Sequence, residues 1–172
     1  MEYFQVVMDM DFPQNVKMAP LTAAELAGKE PISRSVSVPS GVESGFFADF
    51  LTTRTIQGRY RLISNELKEL YAMFNPKWEW MPAALIDQHG NCRLYWFWNA
   101  EKIACLSDKT IYSGDNTVKT LAINTDRLKD KNNFSVETRI ETIFVVRLDL
   151  AESMLRRGFI GFKFQNVMTV GG

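Results

Sequence analysis

Along the chain the spacing of apolar positions alternates between a period of two and a period of three to four, and each change marks a predicted element. Tyr3 to Val7 is rich in aromatic and β-branched residues and predicts a strand. A short helix is predicted next. Thr22 is placed to cap the backbone of Glu25, Glu25 to reach back in a capping box, Leu21 to meet Leu26 in a hydrophobic staple, and Gly28 to end the turn. From Pro31 to Gly45 the residues are mostly Ser, Pro, Gly and Val, which reads as an extended connection with a short strand at Val36 and Val38. Tyr60 to Ile63 predicts a strand that stops at Ser64, whose hydroxyl suits the free amides of a helix start. Leu67, Leu70, Tyr71 and Phe74 then line one helical face, and Asn75-Pro76 ends it.

The pattern then shortens. Trp78, Trp80 and Ala83 to Ile86 read as extended structure interrupted at Pro82, which marks an edge or a break because proline cannot donate to a ladder. His89-Gly90-Asn91 predicts the turn of a hairpin that continues through Cys92 to Trp98. A strand at Ile103 to Leu106, a polar loop from Ser107 to Thr117, a half-buried strand carrying Leu121 and Ile123, and a polar turn at Asp130 to Asn133 follow. Ile143 to Leu148 predicts a strand and Asp149 a helix cap, with Glu152 in capping-box position. Ala151, Met154 and Leu155 supply the inner face and Gly158 the stop. Phe162 and Phe164 alternate around Lys163 as Trp78 and Trp80 do around Glu79. Two strand, cap, helix, strand units imply an α+β fold with an antiparallel or mixed sheet, two main helices and a pseudo-duplicated core, expected as one domain over residues 1–172.

Composition supports folding. With 46% hydrophobic, 12% aromatic and 23% charged residues in 172, the chain has material for a sizeable core and lacks the signature of disorder. Twenty basic residues against twenty acidic ones leave no global drive toward nucleic acid or an anionic membrane. The balance is uneven along the chain, with seven acidic and three basic residues in positions 1–50 and thirteen acidic and seventeen basic after them. This reads either as scatter neutralised on folding or as an acidic patch aimed at a basic partner. Glu2, Asp9 and Asp11 fall where a secretory signal would be basic and then apolar, and no stretch approaches the ~20 apolar residues of a membrane span, so a cytoplasmic location is expected. Cys92 and Cys105 lack CxxC spacing and read as two buried thiols.

Chemistry is sparse. One histidine, His89, precedes Gly90 in a predicted turn, which builds neither a triad nor a zinc site. No GxxxxGK[ST] or GxGxxG phosphate loop occurs. The best enzymatic reading is a sugar-binding or glycosidase-like site with Glu79 between Trp78 and Trp80 and Asp87 as second carboxylate, although on a strand Glu79 points away from both tryptophans. In Leu94-Tyr95-Trp96-Phe97-Trp98 both strand faces are apolar, so either a helix or a partner covers one of them. Arg156-Arg157 suits a helix carboxyl end.

Several stretches in order, EYFQVVMDMD, LAGKEPI with ADFL, YRLISNELKELYAMF, LYWFWN with CLSDK, and IFVVRLDLAESMLRRGFIGFKF, resemble an immunity-protein family of bacterial polymorphic toxin systems, the eleventh in its numbering, founded on an uncharacterised myxobacterial domain. The likeness spans most of the chain and rests on order and spacing, because each motif alone is weak. It departs at Asp149, where Ser, as at Ser64, would be expected. The resemblance implies a cytoplasmic inhibitor that occludes a cognate toxin encoded by a neighbouring gene, with no catalytic residue, no metal and no cofactor. Asp9, Asp11, Glu43 and Asp49, as the surplus acid, and Trp96 and Trp98, from the aromatic run, are the candidate partner-binding residues.

Overall fold

The computed structural model describes residues 1–11, 15–17, 20–37, 47–55, 58–75 and 79–171. The fold is α+β. Its strands in chain order are β1 (Tyr3–Met8), β2 (Asn15–Lys17), β3 (Ser33–Ser37), β4 (Phe50–Thr55), β5 (Gly58–Ser64), β6 (Met81–Ile86) and β7 (Cys92–Phe97). They continue as β8 (Ile111–Tyr112), β9 (Val118–Thr120), β10 (Ala122–Asn124), β11 (Asn133–Glu137), β12 (Thr142–Arg147), β13 (Phe162–Asn166) and β14 (Met168–Val170). The helices among the described residues are α1 (Ala23–Leu26), α2 (Asn65–Phe74) and α3 (Leu148–Arg156), with a 3-10 turn at Thr125–Arg127.

By its packing the chain divides into two compact units. Residues 8–99 and 159–161 form one, and residues 1–7, 100–158 and 162–172 the other. Each has its own apolar cluster. Ten acidic and nine basic residues fall in the first unit and ten acidic and eleven basic in the second, so the imbalance between positions 1–50 and the rest is largely neutralised within each unit.

The first unit is built on a sheet of order β2-β3-β6-β7-β5-β4, whose outer strands β2 and β4 also approach each other. The sheet therefore curls, and its concave side holds Leu51, Leu62, Ala83, Leu85, Tyr95 and Phe97 with Leu21, Ile32, Phe47 and Ala48. β5, α2, β6 and β7 follow one another, yet β7 inserts between β5 and β6, antiparallel to both. Ser64 caps α2 as expected, its hydroxyl accepting from the Leu67 amide at 3.2 Å, and Leu67, Leu70 and Tyr71 are buried. The Thr22–Glu25 capping box also forms. The staple does not, because Leu26 is 60% exposed while Leu21 is buried. Pro82 lies inside β6. The Ala84 amide donates to Ile32 beside β3, so by alternation the nitrogen of Pro82 points to the same side, where the β3 register has not yet begun and no donor is needed.

The second unit repeats this plan. Its sheet has the order β11-β12-β1-β13, and α3 connects β12 to β13 with β1 lying between them. β4, β5, β7 and β6 thus correspond to β11, β12, β1 and β13, and α2 to α3. In the first unit the middle strand follows the module in the chain; in the second it precedes everything else. Val6 packs on one face of this sheet, and on the other Tyr3, Phe134, Val136, Ile143 and Val145 join Cys105, Leu121, Ile123 and Leu128.

Several local expectations are corrected in this unit. Ile103 to Leu106 is not a strand: the Cys105 amide turns back to the Ile103 carbonyl, leaving only isolated bridges at Lys102 and Leu106. The loop from Ser107 to Thr117 contains β8, paired with β9 across a turn with Asn116 at φ 65°. Asp149 does not cap α3. Arg147 occupies the cap position without a side-chain cap bond, and Asp149 accepts from its guanidinium at 2.6 and 2.9 Å. Glu152 pairs with Arg156 instead of closing a capping box. Leu155 is 60% exposed, and Leu150 takes its place beside Ala151 and Met154 on the inner face. Gly158 closes the helix at φ 70° as expected.

Candidate functional site

The aromatic run divides its residues between core and surface. Tyr95 and Phe97 enter the curled core, where the Tyr95 hydroxyl donates to the Ala48 carbonyl and burial pushes its pKa upward. On the opposite face the β6–β7 register sets Pro82 against Trp96, Ala84 against Leu94 and Ile86 against Cys92. Helix α2 covers part of this face: Trp96 donates its indole N–H to Asn65 at 3.0 Å and carries the Lys68 ammonium 4.8 Å from its ring centre. The rest is open, with Leu94 46% and Ile86 37% exposed. Pro82, Ala84 and Leu94 continue into a recess of about 470 Å³ formed with Glu25 and the Gly28–Ile32 segment. Cys92 is exposed at the far end of the strip, which corrects its reading as a buried thiol; Cys105 is buried, and burial pushes its thiol up to about 11.

The other candidate residues serve mainly the interior. Trp98 is 2% exposed and packs between Phe50 and Tyr71, so it is not presented to a partner as expected. Asp49 is held by the Ser64 hydroxyl at 2.8 Å and the Ile160 amide at 2.9 Å. Asp9 is 7% exposed and accepts from the Asp11 amide at 3.0 Å, while its own amide donates to Gly161. Asp11 is exposed, and Glu43 lies outside the described residues. Of the three candidate carboxylates among the described residues, Asp9 is buried, Asp49 half-buried and Asp11 exposed, so these three do not form one exposed cluster.

The glycosidase-like constellation fares no better. Glu79 is exposed, Trp80 is half-buried and Trp78 lies outside the described residues. Asp87 closes the hairpin turn, accepting from the His89 and Asn91 amides and the Asn91 side chain, each at 2.8 Å, which draws its carboxyl below the ordinary range. Its oxygens are committed to the turn. Gly90, at φ 83°, completes that turn, so His89 sits where turn chemistry places it. Among the described residues no group of three or more His, Cys, Asp or Glu is arranged to hold a metal ion, and no helix is long and apolar enough to cross a membrane.

The most buried charged group near the recess is Glu25. It accepts from both terminal nitrogens of Arg34 at 2.8 and 2.9 Å and from the Thr22 amide, and these bonds hold its pKa down at about 2. Sequence reading found the capping box because both members lie within one turn. The Arg34 partner was missed because a helix and a strand nine positions apart meet only in the folded chain. Compared with protein-family models and with curated proteins, the chain matches none.

Proposed function

We propose that this chain is an immunity protein that acts by binding, occluding a cognate toxin in the bacterial cytoplasm, and not by catalysis. The observation that carries the reading is the open strip of cross-strand pairs on β6 and β7, with Leu94 and Ile86 beyond the cover of α2. An exposed apolar sheet face beside a helix is costly to keep in water and is the kind of surface a protein partner covers. The ordered likeness of EYFQVVMDMD, YRLISNELKELYAMF, LYWFWN and the closing IFVVRLDLAESMLRRGFIGFKF to the toxin-immunity family gives that partner its class.

The test pairs this chain with the product of the adjacent gene. Co-expression should rescue growth, and calorimetry should give nanomolar or tighter binding, about 12 kcal/mol. Leu94→Asp should weaken that binding at least tenfold while the chain stays folded. Millimolar affinity for that product, or rescue without binding, would sink the occlusion reading.

A further inference from the structure

The repeated plan of the two units leaves one position filled in the first and open in the second. In the first unit the outer edge of β6 is taken by β3, which runs parallel to it with Ser33 opposite Ala84 and Ser35 opposite Ile86, and the Ala84 amide donates to the Ile32 carbonyl. β13 holds the corresponding place in the second unit, yet among the described residues no strand lies beyond it. The Val167 amide donates inward to the Tyr3 carbonyl, so by alternation Lys163 and Gln165 direct their backbone at β1, and Phe162, Phe164 and Asn166 direct theirs outward. No described residue bonds the amide or carbonyl of Phe164 or Asn166 from that side. Lys163, Gln165 and Asn166 are exposed and Phe164 is half-buried, so this edge stands open to solvent.

A strand edge has a definite chemistry, a row of amide donors and carbonyl acceptors that another extended backbone satisfies. In β13 the sequence FKFQN carries Lys163 as its only charged residue and no proline, so little in it opposes such pairing. The occupant this edge takes is shown within the fold itself, because β3 plays that part for β6. We infer that β13 receives an extended segment of the toxin, added parallel to it as β3 is added to β6. This rests on the immunity reading for the identity of the partner and names how part of it is held. Alternation sets the composition of the segment: residues on the side of Phe162 and Phe164, which pack with Phe4, are apolar, and those beside Lys163 and Gln165 are polar. Direction argues against a second copy of β13, since identical edges paired about a two-fold axis run antiparallel.

The experiment titrates the full chain against the purified product of the adjacent gene and follows amide exchange in the complex. The Phe164 and Asn166 amides should exchange fast in the free chain and at least about tenfold more slowly once bound, while that of Gln165, directed at β1, stays slow in both. Asn166→Pro removes an outward donor and leaves the β1 ladder whole, so it should keep the melting temperature and weaken binding at least about tenfold. Asn166→Ala, which keeps the donor, should change binding less than about threefold. Tight binding with both amides still fast, or binding unmoved by Asn166→Pro, would overturn the edge assignment and leave the immunity reading standing. So would a chain that sediments alone as a dimer and is split by Asn166→Pro, which puts a second copy on the edge. No wild-type binding at all would overturn both.

Discussion

Asn133 shows how a single buried side chain sets an expectation for stability. It begins β11 at 2% exposure, and neither its amide nitrogen nor its carbonyl oxygen has a hydrogen-bond partner. An unmade buried bond costs about 1–3 kcal/mol, so Asn133→Val should raise the unfolding free energy by about 1 kcal/mol in a denaturant titration. A fall would mean that the amide is satisfied. Glu25 sets the opposite expectation. Its folded pKa, about 2, lies below the ordinary 4.5, so its ion pair with Arg34 stabilises fully above the ordinary value, and that contribution is lost as pH falls from there toward 2. Between pH 5 and pH 2 the wild type should lose more stability than Glu25→Gln, measured as the gap between their melting temperatures. Arg34→Ala, at neutral pH, should cost ~1–3 kcal/mol by leaving a buried carboxylate unpaired.

At the scale of elements, two helix starts that read alike in sequence are built differently. Ser64 both caps α2 and donates to Asp49, so Ser64→Ala should cost about 1–2 kcal/mol; Asp149→Ala, which removes an exposed pair with Arg147 and a bond from the Leu150 amide at 3.0 Å, should cost less than ~1 kcal/mol. Thermal melts of the two variants compare them directly, and equal losses would mean that Asp149 does cap. The helices, the Thr22 and Ser64 caps and the β6–β7 hairpin were legible because their determinants lie within a few residues of one another. Ile103 to Leu106 misled because alternating apolar residues predict a strand only if a partner strand is available along its length. Leu155 misled because the three-four spacing admits either Leu150 or Leu155 beside Ala151 and Met154, and only the sheet underneath decides. The strip on β6 and β7 was half legible: sequence showed that both faces of the run are apolar, but which half stays open depends on where α2 lies.

At the scale of the whole molecule, the repeated plan of the two units was foreshadowed by the two strand-helix-strand patterns, but the strand order was not. Nothing local in Tyr3–Met8 tells that its partner is Thr142–Arg147, with Tyr3 opposite Arg147 and Val6 opposite Phe144. Tyr3 is 3% exposed and packs edge-on to Phe134, so Tyr3→Ala should cost ~3 kcal/mol. Hydrogen exchange would place that loss: amides of β11 and β12 should become less protected while those of β6 and β7 stay as they were. Equal deprotection of both sheets would mean that the two units open as one.

The borrowed position of β1 also bears on how the chain is made. On a ribosome β7 follows β6 within a few residues and the hairpin can zip at once, whereas β1 emerges first and its neighbour β12 only some 130 residues later. For that interval YFQVVM is an apolar strand with both edges unpaired, the condition in which nascent chains stick to one another or to a chaperone. The order of synthesis therefore runs against the order of assembly in one half of the molecule and with it in the other. A permuted chain that carries residues 1–7 after residue 172, through a short Gly-Ser link, would remove that wait and should refold from denaturant with less aggregate than the natural order.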